Sequence, residues 1–452
     1  MTTSGGGEGK TTAELQSANT FTTWGCNLVW TIDEGVDYPR LRWQNIPGEI
    51  IAGPSPFESV PGGGAPSDPY LIYTAEQFNM IGRFPCQWDK HFKLMADIDL
   101  SAYFLADYNV IGRIGVYAFS GVFDGNGKRI YNFSCVRAGE DNVGLFGCVG
   151  DPNAQIKNLG LIDPAVTVIA GYDVGSLVGL LEAGTITDCY VQGGTVLGQG
   201  RIGALAGSTS GTIAYCHSNA SVLGPGRDIG GLVGNNSGQL SNCYCSSDVS
   251  GGDVVGGLAG ANFGADDSNG LIENCHATGT VQGDDHLGGL VGGNWAGTIR
   301  SCYSAGSVKG TNNVGGLLGL NEGGLIEGSF WDVQVSGQAI SDGGTGKTTA
   351  EMQTAGTFLQ AGWDFVGEIE NGTEDLWCIC EAAGYPKLTW EFVLGDFDAD
   401  GHTDFGDLGI LGERWLETDS SFFCGNGGAD LTGDSFVGLG DLLVLADNWL
   451  RK

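Results

Sequence analysis

One short phrase returns seven times between Val143 and Gly319, and this repetition restricts the possible folds more than any other feature of the sequence. In most copies an apolar residue, glycine, a small residue, leucine, a second apolar residue and glycine follow one another. The copies are Val143–Gly147, Val174–Gly179, Ile202–Gly207, Ile229–Gly234, Val255–Gly260, Leu287–Gly292 and Val314–Gly319. Their first residues are 31, 28, 27, 26, 32 and 27 residues apart. A repeat of roughly 20 to 50 residues indicates a solenoid, a propeller or an array.

A second phrase keeps step with the first and selects among these folds. It places a cysteine at the same point of successive repeats: Cys189, Cys216, Cys243, Cys275 and Cys302. The repeats are shorter than the roughly 40 residues of a propeller blade, and 81 glycines among 452 residues disfavour a helical repeat. A parallel β-solenoid remains, in which each repeat forms one turn and equivalent residues stack about 4.8 Å apart. Whether the leucine or the valine of each phrase points inward stays open.

These phrases resemble the GLUG repeat of bacterial secreted and surface proteins. The resemblance covers Tyr70 to about Trp390, counting the flanking segments. It implies an architecture more than an activity. The predicted fold class is therefore mainly β: a parallel β-solenoid (β-helix) of roughly eight or nine turns with short capping helices, followed by a small α-helical domain.

Charge narrows the classes of partner. Lys and Arg number 20 against 53 Asp and Glu, which gives a net charge of -33. Nucleic acid and anionic membrane surfaces repel such a chain, whereas divalent cations suit it. No apolar run is long enough to span a membrane, and the segment Met1–Lys10 lacks the apolar core of a signal peptide. We expect an extracellular or cell-surface protein that binds no nucleic acid.

The thirteen cysteines favour a buried, reduced column over a disulfide framework. Five of them share one repeat position, and side chains stacked along a column are poorly placed for the torsion of a disulfide. Disulfide bridges and metal binding stay open as alternatives. The Cys243/Cys245 and Cys378/Cys380 pairs lack the spacing of a zinc site.

A module occurs twice, once near each end of the chain. Leu28–Trp43 aligns without gaps with Asp375–Trp390, and Gly9–Gln16 aligns with Gly346–Gln353. Each copy opens with a Thr-x-x-Glu capping box that predicts a short helix before an aromatic strand. We expect the second copy to close the last turn of the solenoid. The first copy is either the tail of an upstream solenoid or an element that docks on a neighbouring molecule and gives head-to-tail growth.

Four parts follow from these boundaries. They are an orphan copy of the cap module (1–47), a Pro/Gly linker (48–67), the GLUG-type solenoid with its caps (68–391) and a small C-terminal domain (392–452). At the start of the solenoid, the sequence predicts a capped helix from Thr74, a strand over His91–Leu100 and a tight turn at Asp124–Gly127.

Acidic and amide residues flank most of the repeated phrases. Those before the phrase are Asp141, Asp173, Asp228, Asp253, Asp285 and Asn312, and those after it are Asn235, Asn262, Asn294 and Asn321. They are either corner residues that bond their own backbone or a surface column that binds calcium or glycan. The basic residues share no column: Lys157, Arg201, Arg227, Arg300 and Lys309. Catalysis on a solenoid needs such convergence, so we predict no catalytic residues and no enzyme.

The C-terminal segment carries the most specific chemistry. Acids at positions 1, 3, 5, 9 and 12 of a loop, with a glycine at position 6 and a backbone carbonyl at position 7, have the ligand spacing of a calcium site. The predicted ligands of the first loop are Asp396, Asp398, Asp400, His402, Asp404 and Asp407. A second loop begins 34 residues later, with the predicted ligands Asp430, Thr432, Asp434, Phe436 and Asp441. Each loop runs into a Leu- and Trp-containing helix.

This paired loop and helix, over about Gly395 to Leu450, resembles a type I dockerin. The resemblance implies calcium as cofactor and a cohesin-like module as partner, with a neighbouring subunit as the other candidate. We predict a secreted, calcium-binding structural or adhesive surface or matrix protein, and head-to-tail assembly into a homopolymer filament stays open. The alternative is a glycan-binding or carbohydrate-active solenoid attached to a scaffold through its dockerin.

Overall fold

The computed structural model describes residues 9–18, 20–21, 30–44, 46–51, 57–103, 108–115, 117–264, 270–366, 369–379, 382–391, 403, 405–416 and 437–447. The chain divides into two compact units, Met1–Thr212 and Ile213–Lys452. The fold is mainly β, a parallel β-solenoid of about eight turns with few short helices, so the predicted fold class is confirmed. The dockerin-like domain stays a prediction, as does the division into four parts.

The helices are short and lie outside the regular solenoid turns. They are α1 (Thr12–Leu15), α2 (Ala75–Arg83), α3 (Val333–Ser336), α4 (Thr349–Met352), α5 (Ala355–Leu359), α6 (Phe405–Glu413) and α7 (Leu439–Asp447). Among the described residues, 3-10 turns cover Arg42–Gln44, Pro85–Gln87 and Thr389–Glu391. In α2 the Thr74 side chain accepts a hydrogen bond from the Gln77 amide, and Phe78 and Ile81 are buried, so the predicted capped helix is present.

The described residues of the first unit form fifteen strands. They are β1 (Trp30–Ile32), β2 (Arg40–Leu41), β3 (Glu49–Ile50), β4 (Tyr70–Ile72), β5 (His91–Leu94), β6 (Ile98–Asp99), β7 (Val122–Tyr131), β8 (Ser134–Ala138), β9 (Phe146–Ile162), β10 (Ala165–Ile169), β11 (Tyr172–Val174), β12 (Val178–Gln192), β13 (Thr195–Leu197), β14 (Gly200–Gly203) and β15 (Ala206–Thr209). From β4 onward the strands pair in parallel, in the order β4, β5, β7, β9, β12 and β15 on the main sheet.

The strands of the second unit are shorter and more regular. They are β16 (Thr212–Ala214), β17 (His217–Ser218), β18 (Ser221–Leu223), β19 (Arg227–Gly230), β20 (Val233–Asn236), β21 (Gln239–Ser241), β22 (Tyr244–Cys245), β23 (Val249–Ser250), β24 (Asp253–Gly256), β25 (Ala259–Phe263), β26 (Leu271–Glu273), β27 (His276–Ala277), β28 (Val281–Gln282), β29 (Asp285–Gly288), β30 (Val291–Trp295), β31 (Thr298–Arg300), β32 (Tyr303–Ser304), β33 (Val308–Lys309), β34 (Val314–Gly315), β35 (Leu318–Glu322), β36 (Leu325–Glu327), β37 (Phe330–Asp332), β38 (Thr345–Lys347), β39 (Trp377–Cys378) and β40 (Lys387–Leu388).

Each strand of a turn pairs in parallel with the same strand of the next turn. The columns are β17–β22–β27–β32–β37–β38, β18–β23–β28–β33, β19–β24–β29–β34, β20–β25–β30–β35 and β21–β26–β31–β36. Because the pairing stays in register, every repeat position becomes a straight column of like residues.

The core settles the open question of which apolar residue points inward. The leucine of every phrase is fully buried, and so is the apolar residue that follows it, as at Leu258 and Ala259 or Leu290 and Val291. The residue that opens each phrase is buried in the first six copies, as at Val255 and Leu287, and half-buried at Val314. Each buried aliphatic side chain contributes about 1.5 to 3 kcal/mol, so one phrase supplies a large share of the stability of its turn.

Both repeated phrases begin at a corner. The residue before each glycine-rich phrase has a left-handed backbone: Asn142, Asp173, Arg201, Asp228, Val254, His286 and Asn313. So does the residue before each repeat cysteine: Asp188, Tyr215, Asn242, Asn274 and Ser301. Asn and Asp tolerate this conformation best, which explains why they recur there. The corner interpretation is confirmed at Asp173 and Asp228, whereas Asp141, Asp253, Asp285 and Asn312 stand one residue earlier.

Two expectations for the first turns were wrong. Asp124–Gly127 does not reverse the chain, because β7 continues through it and its pairing with β9 shifts register between Asp124 and Lys128. Asn126 and Gly127 have positive φ, so a motif that favours hairpin turns here forms a corner within a parallel strand. The predicted strand over His91–Leu100 is divided into β5 and β6.

The repeat cysteines form the predicted column of buried thiols. Cys189, Cys216, Cys243, Cys275 and Cys302 are all free and buried. In the second unit, the thiols of Cys243, Cys275 and Cys302 donate to the backbone carbonyl two residues earlier, over 3.2, 3.1 and 3.0 Å. Burial raises the pKa of Cys275 well above its ordinary value. Cys86, by contrast, is disulfide-bonded.

Candidate functional site

The predicted calcium loops lie mostly outside the described residues. This applies to Asp396, Asp398, Asp400, His402, Asp404, Asp430, Thr432, Asp434 and Phe436. Asp407 lies in α6 and Asp441 in α7, so a helix does begin where each loop was predicted to end. Asp441 is buried, and its Oδ2 accepts a 2.7 Å hydrogen bond from the Gly438 amide, which caps the start of α7. Calcium binding itself stays a prediction.

A polar cluster lies at the corners of three successive turns of the second unit. Nδ1 of His286 is 2.8 Å from Oδ1 of Asp253 and 3.5 Å from Oδ1 of Asp285. Nδ2 of Asn313 donates to Oδ1 of Asp285 over 2.8 Å. The potential metal-ligand atoms of Asp253, Asp285 and His286 all lie within 4.8 Å of one another. In the described part of the chain, no other set of three His, Cys, Asp or Glu side chains is grouped this closely. The sequence analysis had listed Asp253 and Asp285 among the residues before the phrase, but not His286.

In the first unit, the equivalent corner residue, Asp173, forms an ion pair. Asp173 is buried, its Oδ2 lies 3.0 Å from Nη2 of Arg201, and its other oxygen accepts a short hydrogen bond from the Ser208 hydroxyl. Burial raises the pKa of Asp173, which Ser208 and Arg201 partly offset. Corner side chains therefore join one turn to the next.

The asparagines after the phrase form an internal ladder. Nδ2 of Asn236 donates to Oδ1 of Asn262 over 2.7 Å, Asn262 to Asn294 over 2.8 Å, and Asn294 to Asn321 over 2.9 Å. Asn236, Asn262 and Asn294 are fully buried. Asn236 takes the place that the sequence analysis gave to Asn235. A surface column for calcium or glycan is therefore excluded at Asn262 and Asn294, since their amides are spent on each other and on backbone carbonyls.

Two basic side chains converge in the first unit: Lys157, one of the five that were expected to share no column with one another, and Lys93, which the sequence analysis did not consider. Lys93, Asp124 and Lys157 lie side by side on β5, β7 and β9, facing out of the sheet. They line a cavity of about 450 Å³ together with His91, Leu71, Met95, Val122, Phe92, Pro66 and Pro69. Nζ of Lys93 is 3.7 Å from Oδ2 of Asp124. Burial and the nearby Lys157 lower the pKa of His91.

An aromatic column runs along the flank of the second unit, and the sequence analysis missed it. It consists of His217, Tyr244, His276 and Tyr303, each directly after a repeat cysteine. Their ring centroids are 4.6, 5.2 and 4.9 Å apart, with interplanar angles of 4°, 5° and 7°. The alternation of His and Tyr after cysteine was visible in the sequence, and the register of a solenoid turns such a repeat into a stack.

The second copy of the duplicated module, residues 346–391, covers this aromatic column. Trp390 lies 5.9 Å from His217 and 5.4 Å from Tyr244, while Trp377 lies 6.2 Å from Tyr303. The Tyr303 hydroxyl donates to the Pro386 carbonyl over 2.7 Å. The module also packs Phe358 on Phe330 near the last turn, with centroids 5.4 Å apart. It was expected to close the last turn, and it extends further, along the flank of four turns.

A buried polar contact fixes this C-terminal module. Oε1 of Glu391 lies 2.8 Å from Nε2 of His276, and the same oxygen accepts a 2.7 Å hydrogen bond from the Leu388 amide. Burial lowers the pKa of the neighbouring His217 to about 4, and Glu391 opposes that shift. His217 is therefore neutral near pH 7, which suits its position beneath Trp390.

A family model described as the GLUG motif matches residues 170–197, 251–282 and 283–309. The chain carries GLUG repeats. The matched segments include the phrases that begin at Val174, Val255 and Leu287, where the corner residues and the buried leucines were described above. The predicted GLUG resemblance is thus confirmed for the repeats.

Two relatives share the GLUG region. Halomucin from Haloquadratum walsbyi is 33% identical over 187 residues, which cover 40% of this chain and 2% of halomucin. A provisionally named Gly-rich membrane protein from Evansella cellulosilytica is 37% identical over 121 residues, which cover 26% of this chain and 14% of that protein. The chain therefore spans a small fraction of the length of these relatives.

One solved structure is similar in part. The crystal structure of a provisionally named immunoglobulin A1 protease from Bacteroides ovatus aligns over 73% of this chain and 94% of its own, with a TM-score of 0.47 and 20% identity. No activity is transferred at that level of similarity. Among the described helices, none is both long and apolar enough to cross a membrane.

Proposed function

We propose that this protein is a non-catalytic structural or adhesive component of an extracellular surface or matrix. The observation that carries the proposal is the use of its corner side chains. Asp253, Asp285, His286 and Asn313 bond one another across three turns, and Asp173 bonds Arg201 and Ser208. Groups held in such contacts stabilise the stacking of solenoid turns and are poorly available as general acids or bases.

The relatives support an extracellular location. One carries a mucin-type name and the other is named as a membrane protein, and both share GLUG segments with this chain. The net charge of -33 suits a surface rich in divalent cations. We propose calcium as the cofactor, bound by the two C-terminal loops.

The C-terminal pair of helices supports a docking role. Helices α6 and α7 repeat one another in length and follow duplicated acidic loops. Asp441 holds the start of α7 through Gly438, and it is also position 12 of the second predicted calcium loop. The proposed partner is a cohesin-like module or a neighbouring subunit, with growth into a homopolymer as the assembled form.

Calorimetry with calcium and with chelator tests the calcium proposal. Calcium should raise the transition of residues 392–452 and leave the solenoid transition in place, because binding there is coupled to folding. Replacing Asp400 and Asp434 with Asn should abolish the shift. Replacing Glu374, an exposed acid of the C-terminal module, with Gln is the matched control. A calcium shift that survives both ligand replacements, or no shift in the parent chain, contradicts the proposal.

Electron microscopy with calcium tests the assembled form. Filaments with a subunit-length repeat are expected. Isolated particles at every calcium concentration would remove the homopolymer from the proposal while leaving calcium-dependent docking to a cohesin-like module to be measured directly.

A second candidate function is glycan binding, and the cavity of the first unit favours it. Lys93 and Lys157 flank it within an otherwise acidic chain, and Leu71 and Met95 add apolar surface. Such a groove suits a carboxylate- or sulfate-bearing polysaccharide. Affinity electrophoresis in an acidic polysaccharide should show retardation that high salt abolishes. Replacing Lys93 and Lys157 with Ala should remove it, whereas replacing the exposed Lys309 with Ala should not.

A further inference from the structure

The two copies of the duplicated module have the same local fold. In each, a threonine and a glutamate form a complete capping box, Thr11 with Glu14 and Thr348 with Glu351. In each, a tryptophan strand pairs antiparallel with a leucine strand in the same register, Trp30 with Leu41 and Trp377 with Leu388. We call the described residues from 9 to 51 the N-terminal module. Its contacts can therefore be compared with those of the C-terminal module position by position.

The copies differ in what covers their aromatic side chains. Trp390 packs against the aromatic column, while the equivalent Trp43 of the N-terminal module is 73% exposed. Tyr385 stacks on Tyr303 with centroids 6.0 Å apart, while the equivalent Tyr38 is 47% exposed. Tryptophan and tyrosine are enriched at protein interaction sites. The N-terminal module thus presents the face that its copy uses for docking.

Aromatic residues are retained on this face, while its charges have changed. Glu391, which contacts His276, is replaced by Gln44 in the N-terminal module, and Thr389 is replaced by Arg42. An amide can hydrogen-bond either a tyrosine hydroxyl or a neutral histidine. The change retains the ability to bond a His/Tyr column without requiring a histidine opposite that position.

We propose that the N-terminal module docks on an uncovered His/Tyr column of a second GLUG solenoid. Trp43 and Tyr38 take the places that Trp390 and Tyr385 hold in the C-terminal module. The binding partner is a His/Tyr column that is not covered by the C-terminal module of its own solenoid. This inference rests on the proposed structural role and names the surface through which molecules join.

The test needs a chain whose column is open. Replacing Trp390 and Glu391 with Ala removes two contacts of the C-terminal module with the column. Hydrogen exchange of residues 377–391 reports whether the module has been released. Replacing Trp377 with Ala, in a second full-length chain, opens the other end of the same interface if the first variant does not. Circular dichroism establishes that the solenoid remains folded.

Sedimentation velocity then measures association between full-length chains. The opened chain should bind the parent chain, and replacing Trp43 of the parent with Ala should weaken that association at least tenfold. Replacing Tyr73, an aromatic residue that is 45% exposed outside both modules, with Ala is the matched control and should change nothing.

Two results overturn the inference. One is an opened column, released by hydrogen exchange in either variant, that binds no parent chain. The other is association that survives the loss of Trp43. Neither result bears on calcium, because the C-terminal loops are unaltered, so a failure here is distinguishable from a failure of the calcium experiment.

Discussion

Oε1 of Glu391 lies 2.8 Å from Nε2 of His276, and these two side chains join the C-terminal module to the flank of the solenoid. Both are largely buried, with 9% and 6% of their side-chain surface exposed. A contact of this kind is costly to break on one side only, since the remaining polar group stays buried without its partner.

Replacing Glu391 with Ala should therefore destabilise the C-terminal module by about 1 to 3 kcal/mol. The His276 ring and the Leu388 amide both lose their acceptor. Tryptophan fluorescence during urea unfolding measures the effect, because Trp363, Trp377 and Trp390 lie in this module. Replacing the exposed Glu374 with Ala should leave the unfolding midpoint unchanged; equal midpoints for both variants would refute a role for the Glu391 contact.

The asparagine ladder should be sensitive at its centre and tolerant at its end. Asn262 lies between Asn236 and Asn294 and also donates to the Gly270 carbonyl over 2.7 Å. Replacing Asn262 with Ala strands several buried polar groups, so we expect a loss of about 3 kcal/mol. Asn321 has one ladder neighbour and is half-buried. Its replacement with Ala should cost less than half as much in urea unfolding followed by circular dichroism.

Glycine in the repeated phrase should be irreplaceable for a steric reason. A Cβ on Gly288 would lie 1.9 Å from the Val291 carbonyl oxygen, so replacing Gly288 with Ala should destabilise the solenoid by more than about 3 kcal/mol. Gly356, in helix α5, has no atom closer than 4.0 Å to such a Cβ. Its replacement with Ala should stabilise by about 0.5 to 1 kcal/mol. Thermal unfolding of the two variants should shift in opposite directions.

The pKa of His217 predicts how stability depends on pH. Burial lowers this pKa to about 4 from an ordinary value of 6.5. Between these values the unfolded chain binds a proton that the folded chain does not, so the free energy of unfolding falls as pH drops through that window. The contribution is fully present above pH 6.5 and amounts to at most about 3 kcal/mol.

Urea unfolding at several pH values checks this expectation. Tyr244, Trp390 and Glu391 face His217, and replacing His217 with Asn removes the proton site while leaving them in place. The variant should lose less stability than the parent between pH 6.5 and about 4. Parallel curves for the two chains would show that His217 does not titrate in this window.

The sequence predicted the solenoid because pairing in register places the same repeat position of successive turns in one column. The buried leucines, the cysteine column and the capping boxes each followed from a local pattern with a known spacing. The aromatic column was missed because His217 and Tyr244 look unrelated until parallel pairing places them 4.6 Å apart. The convergence of Lys93, Asp124 and Lys157 was missed for the same reason, since irregular early turns hide their common position.

Turn motifs in the sequence predicted the local structure less well than the other patterns did. Asp124–Gly127 has the composition of a hairpin turn, yet the structure uses its left-handed residues for a corner in a parallel strand. Asn235 and Asn236 are adjacent, and only the pairing of β20 with β25 shows which of them joins the ladder. The calcium loops remain a prediction from spacing, because most of their residues lie outside the part of the chain that the structure describes.

The C-terminal module spans four successive turns of the aromatic column, from Trp390 above His217 to Tyr385 on Tyr303. In a solenoid with fewer His/Tyr turns, Trp390 would lose the aromatic rings that it packs against. Extra turns upstream would not change the contacts of the module. The module therefore requires a minimum number of solenoid turns but sets no maximum. The number of repeats upstream of the aromatic column can then change without any change in the C-terminal module.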